Sequence, residues 1–567
     1  MPKFAPQNLW NQFVVLAAPY WAAERKWRAR FLLLLLIILL LGQTCANVLT
    51  NKLTGEFTSA LAAHETHRFW GAIIRCLLLF LVAVPLNAFF YFVRDKLGIL
   101  WRRALTNRFL GGYLRNRTYY HLNANAEVDN PDQRIADDID SFTQRSLYFA
   151  MIGLGALLQL IAFSGVLASI SIVLVLLLIA YAIVGTVATI FGFGKVLVGL
   201  NYSQLKREAD FRFALIRIRE NAESIAFYRG ETNEGGQLKQ RFNDLFVNFG
   251  KLIGAQLNLN LFQYGYSNAA IVIPSMVLAP RVISGELEIG RVTEAAGAFA
   301  ATLQAVTVII DKFDILAKFG AGVRRLHSFA TTMEVLNGKS KGPVIVSADG
   351  PDVVIENVTL QTPDYGRTLI EDLSLKIGPS ADLIIVGSSG GGKSSLLRAI
   401  GGLWTSGTGR IIRPDAEGLL FLPQHPYMIL GTLRDQMLYP KMHKGRSDEE
   451  LLELLKAVNL GELADRCGGL DIEMDWGKVL SLGEQQRLAI ARLLLANPRY
   501  AMLDEATSAL DTSNESIVYQ RLKDSGTILV SISHRLSILR FHQQVLQLTG
   551  NGKWKLHSVK DFRVERD

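Results

Sequence analysis

Cysteine is scarce in this sequence. The 567 residues include only Cys45, Cys76 and Cys467, too few and too far apart for a disulfide framework or a zinc-type ligand set. The scarcity agrees with a reducing cytoplasm around the C-terminal part. The sequence also lacks internal repeats and low-complexity tracts. These absences exclude a cysteine-stapled secreted domain and leave three ordinary buried or lipid-facing thiols.

Apolar residues, in contrast, are abundant. They make up 50% of the chain, and the mean hydropathy is +0.22, which is high for a soluble protein. Most of the excess lies before about residue 320. The net charge of +9 suits either nucleic acid or a membrane with anionic cytoplasmic lipids. Because the basic residues flank apolar segments, we favour the lipid bilayer and expect no nucleic-acid partner.

Six apolar segments predict six membrane-spanning helices with both chain ends in the cytoplasm. They lie at 31–48, at 69–93, within 147–193 as a hairpin that turns near 168–171, at 257–279 and at 293–313. Arg25, Lys26, Arg28 and Arg30 precede the first segment and favour a cytoplasmic N-terminus. The long leader before this segment argues against a cleaved signal peptide.

The loops between these segments differ in charge and length. Loop 49–68 carries two Lys or Arg residues and loop 94–145 carries nine, which places the first outside and the second inside. A second inside loop spans 195–255. Both inside loops are far longer than ordinary connections. Few Gly or Pro residues interrupt their first parts, so we expect both to continue as helices into the cytoplasm.

Charged residues inside the predicted spans are the local clue to the cargo. Arg75 lies in the second segment, and Asp311, Lys312 and Asp314 lie at the inner end of the sixth. Intramembrane charge usually faces a wet cavity or a partner, which would favour a polar cargo. Equally, the three residues at the end of the sixth segment could already emerge into the cytoplasm.

We assign 1–336 to the membrane domain, 337–352 to a linker containing Gly and Pro, and 353–567 to a second domain. In that domain, a strand-like run at 383–386 leads into a glycine-rich loop, and a helical run follows. The loop and its flank read Gly387, Ser388, Ser389, Gly390, Gly391, Gly392, Lys393, Ser394 and Ser395. This context predicts a phosphate-binding loop. The expected fold is therefore an all-α six-helix membrane domain followed by an α/β P-loop domain.

The chemistry of this loop is that of a nucleotide site. Glycines let backbone N–H groups surround a phosphate, and the helix N-terminus adds partial positive charge. Lys393 should reach the β- and γ-phosphates, and the Ser394 hydroxyl should bind Mg²⁺. The predicted ligands are therefore ATP and Mg²⁺.

Polar residues also follow other apolar strands. Asp504 ends one and should hold Mg²⁺, while Glu505 beside it is a candidate general base. His534 follows another and could keep Glu505 and the attacking water aligned. Gln424 could bind Mg²⁺ and sense the γ-phosphate. Alone, such a histidine or glutamine is more often structural, so these roles depend on the combination.

The combination resembles the nucleotide-binding domain of ABC transporters. The motifs occur in the family's order and spacing. They are the phosphate loop, Gln424, Ser481-Leu482-Gly483-Glu484, Asp504-Glu505, Ser508-Ala509-Leu510-Asp511 and His534. The resemblance implies that Ser481, Gly483 and Glu484 form the signature motif, which contacts the γ-phosphate bound by the opposite subunit. ATP would then lie between two such domains, and its hydrolysis would weaken their junction.

Some positions depart from the family pattern. Leu482 replaces the commoner glycine, Glu484 the commoner glutamine and Ser395 the frequent threonine. The aromatic residue that usually stacks on adenine is not clearly in place. Thr362 occupies its position, and Tyr365 is either the replacement or an exposed turn tyrosine.

The membrane half is similar to the SbmA/BacA-like and peroxisomal fatty-acyl half-transporter branch. The matching motifs lie at 130–135, at 221–230, and at 426–428 with 431–436. The resemblance implies six helices per chain and coupling helices in both inside loops that dock on the nucleotide domains. Glu220 and Glu223 lie near one of these turns, unless they belong to a solvated helix face.

The branch predicts an ATP-driven half-transporter that works as a homodimer. Its cargo would be a hydrophilic small molecule or peptide, for example a cobalamin-like compound. The alternatives are an acyl-CoA or fatty-acid transporter, and a membrane ABC protein that gates or signals without transporting. We expect a multi-pass protein of a bacterial inner membrane, with the nucleotide domain in the cytoplasm. The direction of transport does not follow from the branch.

Overall fold

A computed structural model describes residues 8–22, 26–123, 130–337, 342–379, 381–415, 417–440 and 445–562. The chain divides into two compact units, Met1–Gly338 and Lys339–Asp567. The described part of the first is helical, and the second combines sheets with helices. Arg25, one of the basic residues before the first apolar segment, lies outside the described residues, as do the side chains of Asp311 and Asp314.

Long helices dominate the first unit. In chain order they are α1 Leu9–Ala22, α2 Lys26–Ala62, α3 Thr66–Leu114, α4 Thr118–Asn123, α5 Pro131–Gln133, α6 Ile139–Ile170, α7 Ile172–Thr189, α8 Lys195–Glu220, α9 Ala222–Tyr228, α10 Glu231–Ile283, α11 Ile289–Asp311 and α12 Phe313–Asn337. A 3₁₀ turn follows α3, and π-helical turns precede α6 and follow α7. As expected, α3 with its 49 residues continues far beyond the length that a bilayer requires, and α8 makes the first part of the second inside loop helical.

Five described helical stretches are long and apolar enough to cross a membrane. They are Trp27–Ala62, Thr66–Leu122, Pro131–Ile170, Ile172–Gly194 and Glu231–Ile283. These stretches contain the first five predicted segments, and the predicted hairpin turns at Ser171, whose backbone is extended. The sixth segment coincides with α11, which carries Arg291 and Glu294 near its N-terminus. Its status as a membrane span remains a prediction.

The prediction of a loop at 49–68 is wrong. Helix α2 runs on to Ala62, and α3 begins at Thr66. The reason is local: the hydroxyls of Thr50, Thr54 and Thr58 each donate to the carbonyl four residues earlier, at 2.7–2.8 Å. Each hydroxyl is thereby satisfied within α2, so these polar side chains lie in the helix without unpaired donors beyond the apolar run. The hydropathy pattern marked the end of that run, while the helix itself ends later.

Helices α2 and α11 approach backbone to backbone near the end that we predict to lie outside. A Cβ on Gly290 would overlap the Gly55 carbonyl oxygen, so only glycine permits this approach. The Gly290 N–H donates to the Ser59 hydroxyl at 3.0 Å, and the Asn51 amide donates to the Glu294 carbonyl at 2.9 Å. We call this contact the α2–α11 seam.

Arg75 has a partner in this structure. Its guanidinium lies 2.7 Å from the Glu56 carboxylate of α2 and also donates to the Gly71 carbonyl. The pair joins α2 to α3 and leaves the Arg75 side chain about half exposed (54%). The ion pair with Glu56 accounts for a charged residue at this position. The charge of Arg75 therefore no longer supports a polar cargo.

The second unit is built on sheets. Its elements are β1 Val346–Asp349, β2 Val353–Gln361, β3 Thr368–Ile377, β4 Leu383–Gly387, α13 Lys393–Ile400, β5 Gly407–Arg413, β6 Leu419–Leu422, β7 Gly431–Thr432, α14 Leu433–Leu438, α15 Asp448–Ala457, α16 Leu463–Arg466, β8 Glu473–Met474, α17 Trp476–Val479, α18 Leu482–Ala496, β9 Tyr500–Asp504, α19 Thr512–Asp524, β10 Ile528–Ile532, β11 Gln544–Gly550 and β12 Lys553–Ser558. A 3₁₀ helix, Leu536–Phe541, precedes β11.

Two main sheets organise these strands. One has the order β1-β5-β2-β3, and the other has the order β12-β11-β4-β10-β9-β6. In the second sheet β11, β4, β10, β9 and β6 are mutually parallel. Every residue of β10 is buried, as expected of a parallel strand that is covered on both faces. Strand β1 lies within the region that we assigned to the linker, where it pairs with β5.

Candidate functional site

Four groups of predicted site residues meet at one edge of the parallel sheet. The phosphate loop follows β4, Gln424 follows β6, Glu505 follows β9 and His534 follows β10. The carboxyl ends of parallel strands share one edge, which is where such sheets bind ligands. The sheet thus gathers side chains that are up to about 150 residues apart in sequence.

The phosphate loop is held by its own lysine. The Lys393 ammonium donates to the carbonyls of Gly387 at 2.7 Å and Ser388 at 2.9 Å. Gly390 and Gly392 have φ values of +76° and +92°, which side chains with a Cβ rarely adopt. The loop is therefore a glycine-dependent cradle that opens onto the N-terminus of α13, and its shape fits a phosphate group.

Oxygen donors lie beside this cradle. The Ser394 hydroxyl donates to the Asp504 carboxylate at 3.1 Å. Burial raises the pKa of Asp504, with Ser394 acting in the opposite direction, and burial lowers the pKa of Lys393. A hydroxyl and a carboxylate are suitable Mg²⁺ ligands. Among the described residues no cluster of three or more His, Cys, Asp or Glu could hold a metal, so the phosphates and water would have to supply the other ligands.

Glu505 lies at the centre of the remaining polar groups. Its carboxylate accepts a hydrogen bond from the Gln424 amide at 3.0 Å and lies 3.5 Å from His534 Nε2. Glu505 has a φ of +48°, and its N–H donates to the Ile532 carbonyl at 3.1 Å. A left-handed non-glycine residue is strained, and such strain concentrates at functional sites. The contacts with Gln424 and His534 thus orient the Glu505 carboxylate.

The signature motif begins a helix. Ser481 caps α18, and the Glu484 carboxylate accepts hydrogen bonds from both the N–H and the hydroxyl of Ser481, each at 2.9 Å. The Arg466 guanidinium lies 2.7 Å from the other Glu484 oxygen. Burial opposes ionisation, but the bonds from Arg466 and Ser481 hold the pKa of Glu484 below its usual value. Glutamate at this position therefore belongs to a capping box with its own counter-charge.

Two side chains that we did not single out join these loops. The amide of Gln486, a buried residue of α18, donates to the Gln424 carbonyl at 3.0 Å and accepts from the Ala509 N–H at 3.0 Å. The guanidinium of Arg535 donates to the Ser508 carbonyl at 2.7 Å. One signal in the sequence could have found Gln486. It lies on the same face of α18 as Leu482, Ile490 and Leu493, and a polar residue on an apolar helix face is a candidate for burial.

Tyr365 contacts the start of the second unit. Its hydroxyl donates to the Pro343 carbonyl at 3.3 Å. Gly342 lies close to the same ring, so Tyr365 already has contacts within this unit. Adenine stacking by Tyr365 stays a prediction. At the tip between α8 and α10, helix α9 exposes Phe227 and Tyr228, and the docking of this helix is likewise a prediction.

A buried histidine, His542, contacts β10, the strand that precedes His534. His542 Nδ1 is 2.9 Å from the Ile538 carbonyl, and Nε2 is 2.9 Å from the Ser531 hydroxyl of β10. Since a carbonyl can only accept, Nδ1 carries the proton and Nε2 accepts from Ser531. Burial lowers the pKa of His542 from 6.5 to about 4. The ring is therefore neutral at physiological pH.

Acid should destabilise the second unit through His542. The unfolded chain protonates this histidine near pH 6.5 and the folded chain only near 4, so the unfolded state binds more protons between these values. The free energy of unfolding should fall by about 3 kcal/mol as the pH drops through this window. Denaturant unfolding at several pH values measures it. His542→Gln should flatten the dependence and His425→Gln, at an exposed histidine, should not; equal slopes for all three proteins would refute the assignment.

Known proteins resemble both units. A family model described as ABC transporter transmembrane region 2 matches residues 17–283, and one described as ABC transporter matches residues 370–508. A Synechocystis protein named as an uncharacterized ABC transporter ATP-binding protein is 43% identical over 549 residues, which cover 95% of this chain and 83% of its own. Two eukaryotic proteins match at a similar length.

The first of these is the chloroplastic ABC transporter D family member 2 of Arabidopsis thaliana. It is 36% identical, over 98% of this chain and 89% of its own length. The second is the human lysosomal cobalamin transporter ABCD4. It is 32% identical, over 97% of this chain and 96% of its own. These similarities run through the membrane unit and the sheet unit alike.

Proposed function

Because this chain belongs to the ABC transporter family and couples ATP hydrolysis to transport, we propose that it acts as a homodimer moving a hydrophilic compound, such as a peptide or a cobalamin-like molecule. The observation that carries the homodimer is that the described residues include one membrane unit, one phosphate loop and one signature motif. A second copy supplies the missing half of each ATP site. The similarity to a protein named as a cobalamin transporter supports the cargo class.

Within each ATP site the proposed roles follow the geometry. Lys393 binds the β- and γ-phosphates, and Ser394, Asp504 and Gln424 provide oxygen ligands for Mg²⁺. When bound, Mg²⁺ neutralises charge that develops on the phosphates. Glu505 takes a proton from the attacking water, and His534 keeps the carboxylate aligned. Ser481 and Gly483 of the second copy close the site, since a helix N-terminus offers N–H donors to an anion.

The protein is a multi-pass membrane protein, and the finer location is part of the proposal. The long inside loops are basic and would face an anionic cytoplasmic leaflet. We place the chain in a bacterial inner membrane with the nucleotide domain in the cytoplasm. The similarity to the Synechocystis protein agrees with a bacterial membrane.

One feature favours a second candidate, acyl-CoA or fatty-acid transport. A groove of about 360 Å³ lies between α6, α7 and α11, and its walls are almost entirely apolar. Leu160, Leu178, Ile183 and Val306 are among the lining residues. Apolar walls of this kind suit an acyl chain, either that of a cargo or that of a membrane lipid.

Transport by purified protein in liposomes separates these candidates. We expect ATP-dependent accumulation and a raised ATPase rate with cyanocobalamin or a neutral peptide, and neither effect with oleoyl-CoA. A non-hydrolysable ATP analogue is the control and should abolish accumulation. Stimulation by oleoyl-CoA alone would favour the second candidate. ATP hydrolysis that no probe stimulates would favour a gating or signalling protein and contradict the proposal.

A further inference from the structure

Helix α10 carries a stripe of neutral polar side chains within the predicted fifth span. Asn260, Gln263, Tyr264 and Ser267 stand at spacings of three, four and seven, which place them on one helix face. The Gln256 amide extends the stripe and donates to the Asn260 side chain at 3.1 Å. Polar residues at membrane depth usually face the interior of a helix bundle or a wet cavity. None of these residues is charged, so the intramembrane charges in the sequence did not indicate the stripe.

The stripe forms one wall of a cavity of about 220 Å³. Thr186 and Thr189 of α7 and Thr307 of α11 form other walls. Among the described residues that line it, none carries a formal charge at neutral pH. Amides and hydroxyls from three helices therefore converge on one space that lacks a counter-ion for a charged group.

The neighbouring seam between α7 and α10 is tightly fixed. The rings of Tyr181 and Tyr266 stack in parallel with their centroids 4.3 Å apart. Each hydroxyl donates to the other residue's carbonyl, at 2.6 and 2.8 Å. A Cβ on Gly185 would overlap the Tyr266 ring. A wall held by reciprocal hydrogen bonds at a glycine contact is pre-formed, and little ordering is needed when a ligand enters.

We propose that this cavity binds a neutral, amide- or hydroxyl-bearing part of the cargo. The inference rests on the proposed transport function and narrows its substrate class. A site built from hydrogen-bonding groups disfavours an acyl chain, because apolar carbon would cover these amides and hydroxyls and remove their hydrogen bonds to water. It rejects an isolated charge, because nothing in the lining compensates the loss of hydration. The volume suits one polar arm of a larger molecule, such as a carboxamide or a peptide unit.

Asn260→Leu tests the proposal in the full-length protein in liposomes. The measured quantity is the probe concentration that gives half-maximal ATPase stimulation by cyanocobalamin or a neutral peptide. We expect it to rise about tenfold or more, because an amide-to-ligand hydrogen bond is lost and a buried partner is left unsatisfied. The matched control is Asn268→Leu, an exposed position of the same helix outside the cavity. This control variant should shift the value by less than about twofold and should keep the basal ATPase rate.

A second pair of variants, with more conservative substitutions, controls for misfolding. Thr307→Val removes a lining hydroxyl without changing volume, and Thr302→Val makes the same change in α11 at the apolar groove. Only Thr307→Val should weaken the response to the polar probes. The proposal would be overturned if Asn260→Leu responded to the probes as Asn268→Leu does, and Thr307→Val as Thr302→Val does. Loss of the dimer in these variants by light scattering would also overturn it, since the stripe would then be an interface between copies.

Direct binding separates this proposal from the transport function. If no probe is transported by the wild-type protein, the proposed cargo class fails. Equilibrium binding of the same probes to detergent-solubilised protein then tests whether the cavity binds them, independently of transport. Binding that Asn260→Leu weakens and Asn268→Leu preserves supports the cavity, and the absence of binding by wild-type protein overturns it.

Discussion

Glu505→Gln should lower the rate of ATP hydrolysis by about 100-fold or more while ATP still binds. Glutamine keeps the shape of the side chain and can still accept the hydrogen bond that Gln424 donates at 3.0 Å. It cannot take a proton from water. The two copies should therefore accumulate in a closed, ATP-bound dimer. Phosphate release measures the rate, and the nucleotide retained after gel filtration measures the trapped state.

Glu356→Gln provides the matched control. Glu356 is an exposed carboxylate of β2, on the other sheet, so this change should leave hydrolysis and nucleotide retention unaltered. Hydrolysis by Glu505→Gln at the wild-type rate would remove Glu505 from the role of general base. In that case His534, at 3.5 Å from the same carboxylate, would be the next candidate to test.

Lys393→Ala should weaken ATP binding by about 10- to 100-fold, which is the expected cost of charge-assisted hydrogen bonds to phosphate. The change acts in two ways. It removes the cation that the β- and γ-phosphates would meet. It also removes the ammonium that ties the Gly387 and Ser388 carbonyls at 2.7 and 2.9 Å, so the cradle loses its internal support.

A fluorescent ATP analogue titrated into the full-length protein measures this affinity. Lys555→Ala is the control, because Lys555 is exposed on β12 at the far edge of the sheet. Unchanged affinity in Lys393→Ala would contradict the phosphate-loop assignment. Equal weakening in both variants would indicate a general effect of charge on nucleotide binding.

The sequence alone predicted which side chains meet at the edge of the parallel sheet, because the relevant signals are local. A glycine loop between strand and helix, and polar residues directly after apolar strands, place side chains at the edge of a parallel sheet without knowledge of the packing. Lys393, Asp504 and Glu505 are of this kind. Their positions follow from the ends of β4 and β9.

Contacts between distant segments were not predictable in this way. The bridge from Gln486 to the Gln424 carbonyl joins residues 62 positions apart, and the Arg466–Glu484 pair joins two helices. Both depend on how α18 packs. Helix ends were misplaced for another reason. Hydropathy reports where apolar side chains stop, whereas α2 continues through Thr50, Thr54 and Thr58, which satisfy their own hydroxyl groups.

The α2–α11 seam bears on the free energy that is needed to separate these two helices near Gly55 and Gly290. Where Gly55 meets Gly290, no side chain separates the two backbones, so little apolar surface lies between the helices at this point. The bonds that hold them, from Gly290 to Ser59 and from Asn51 to the Glu294 carbonyl, are ones that entering water replaces with a small net loss. At this point of the α2–α11 seam, therefore, hydration would offset most of the hydrogen bonds that separating the two backbones would break.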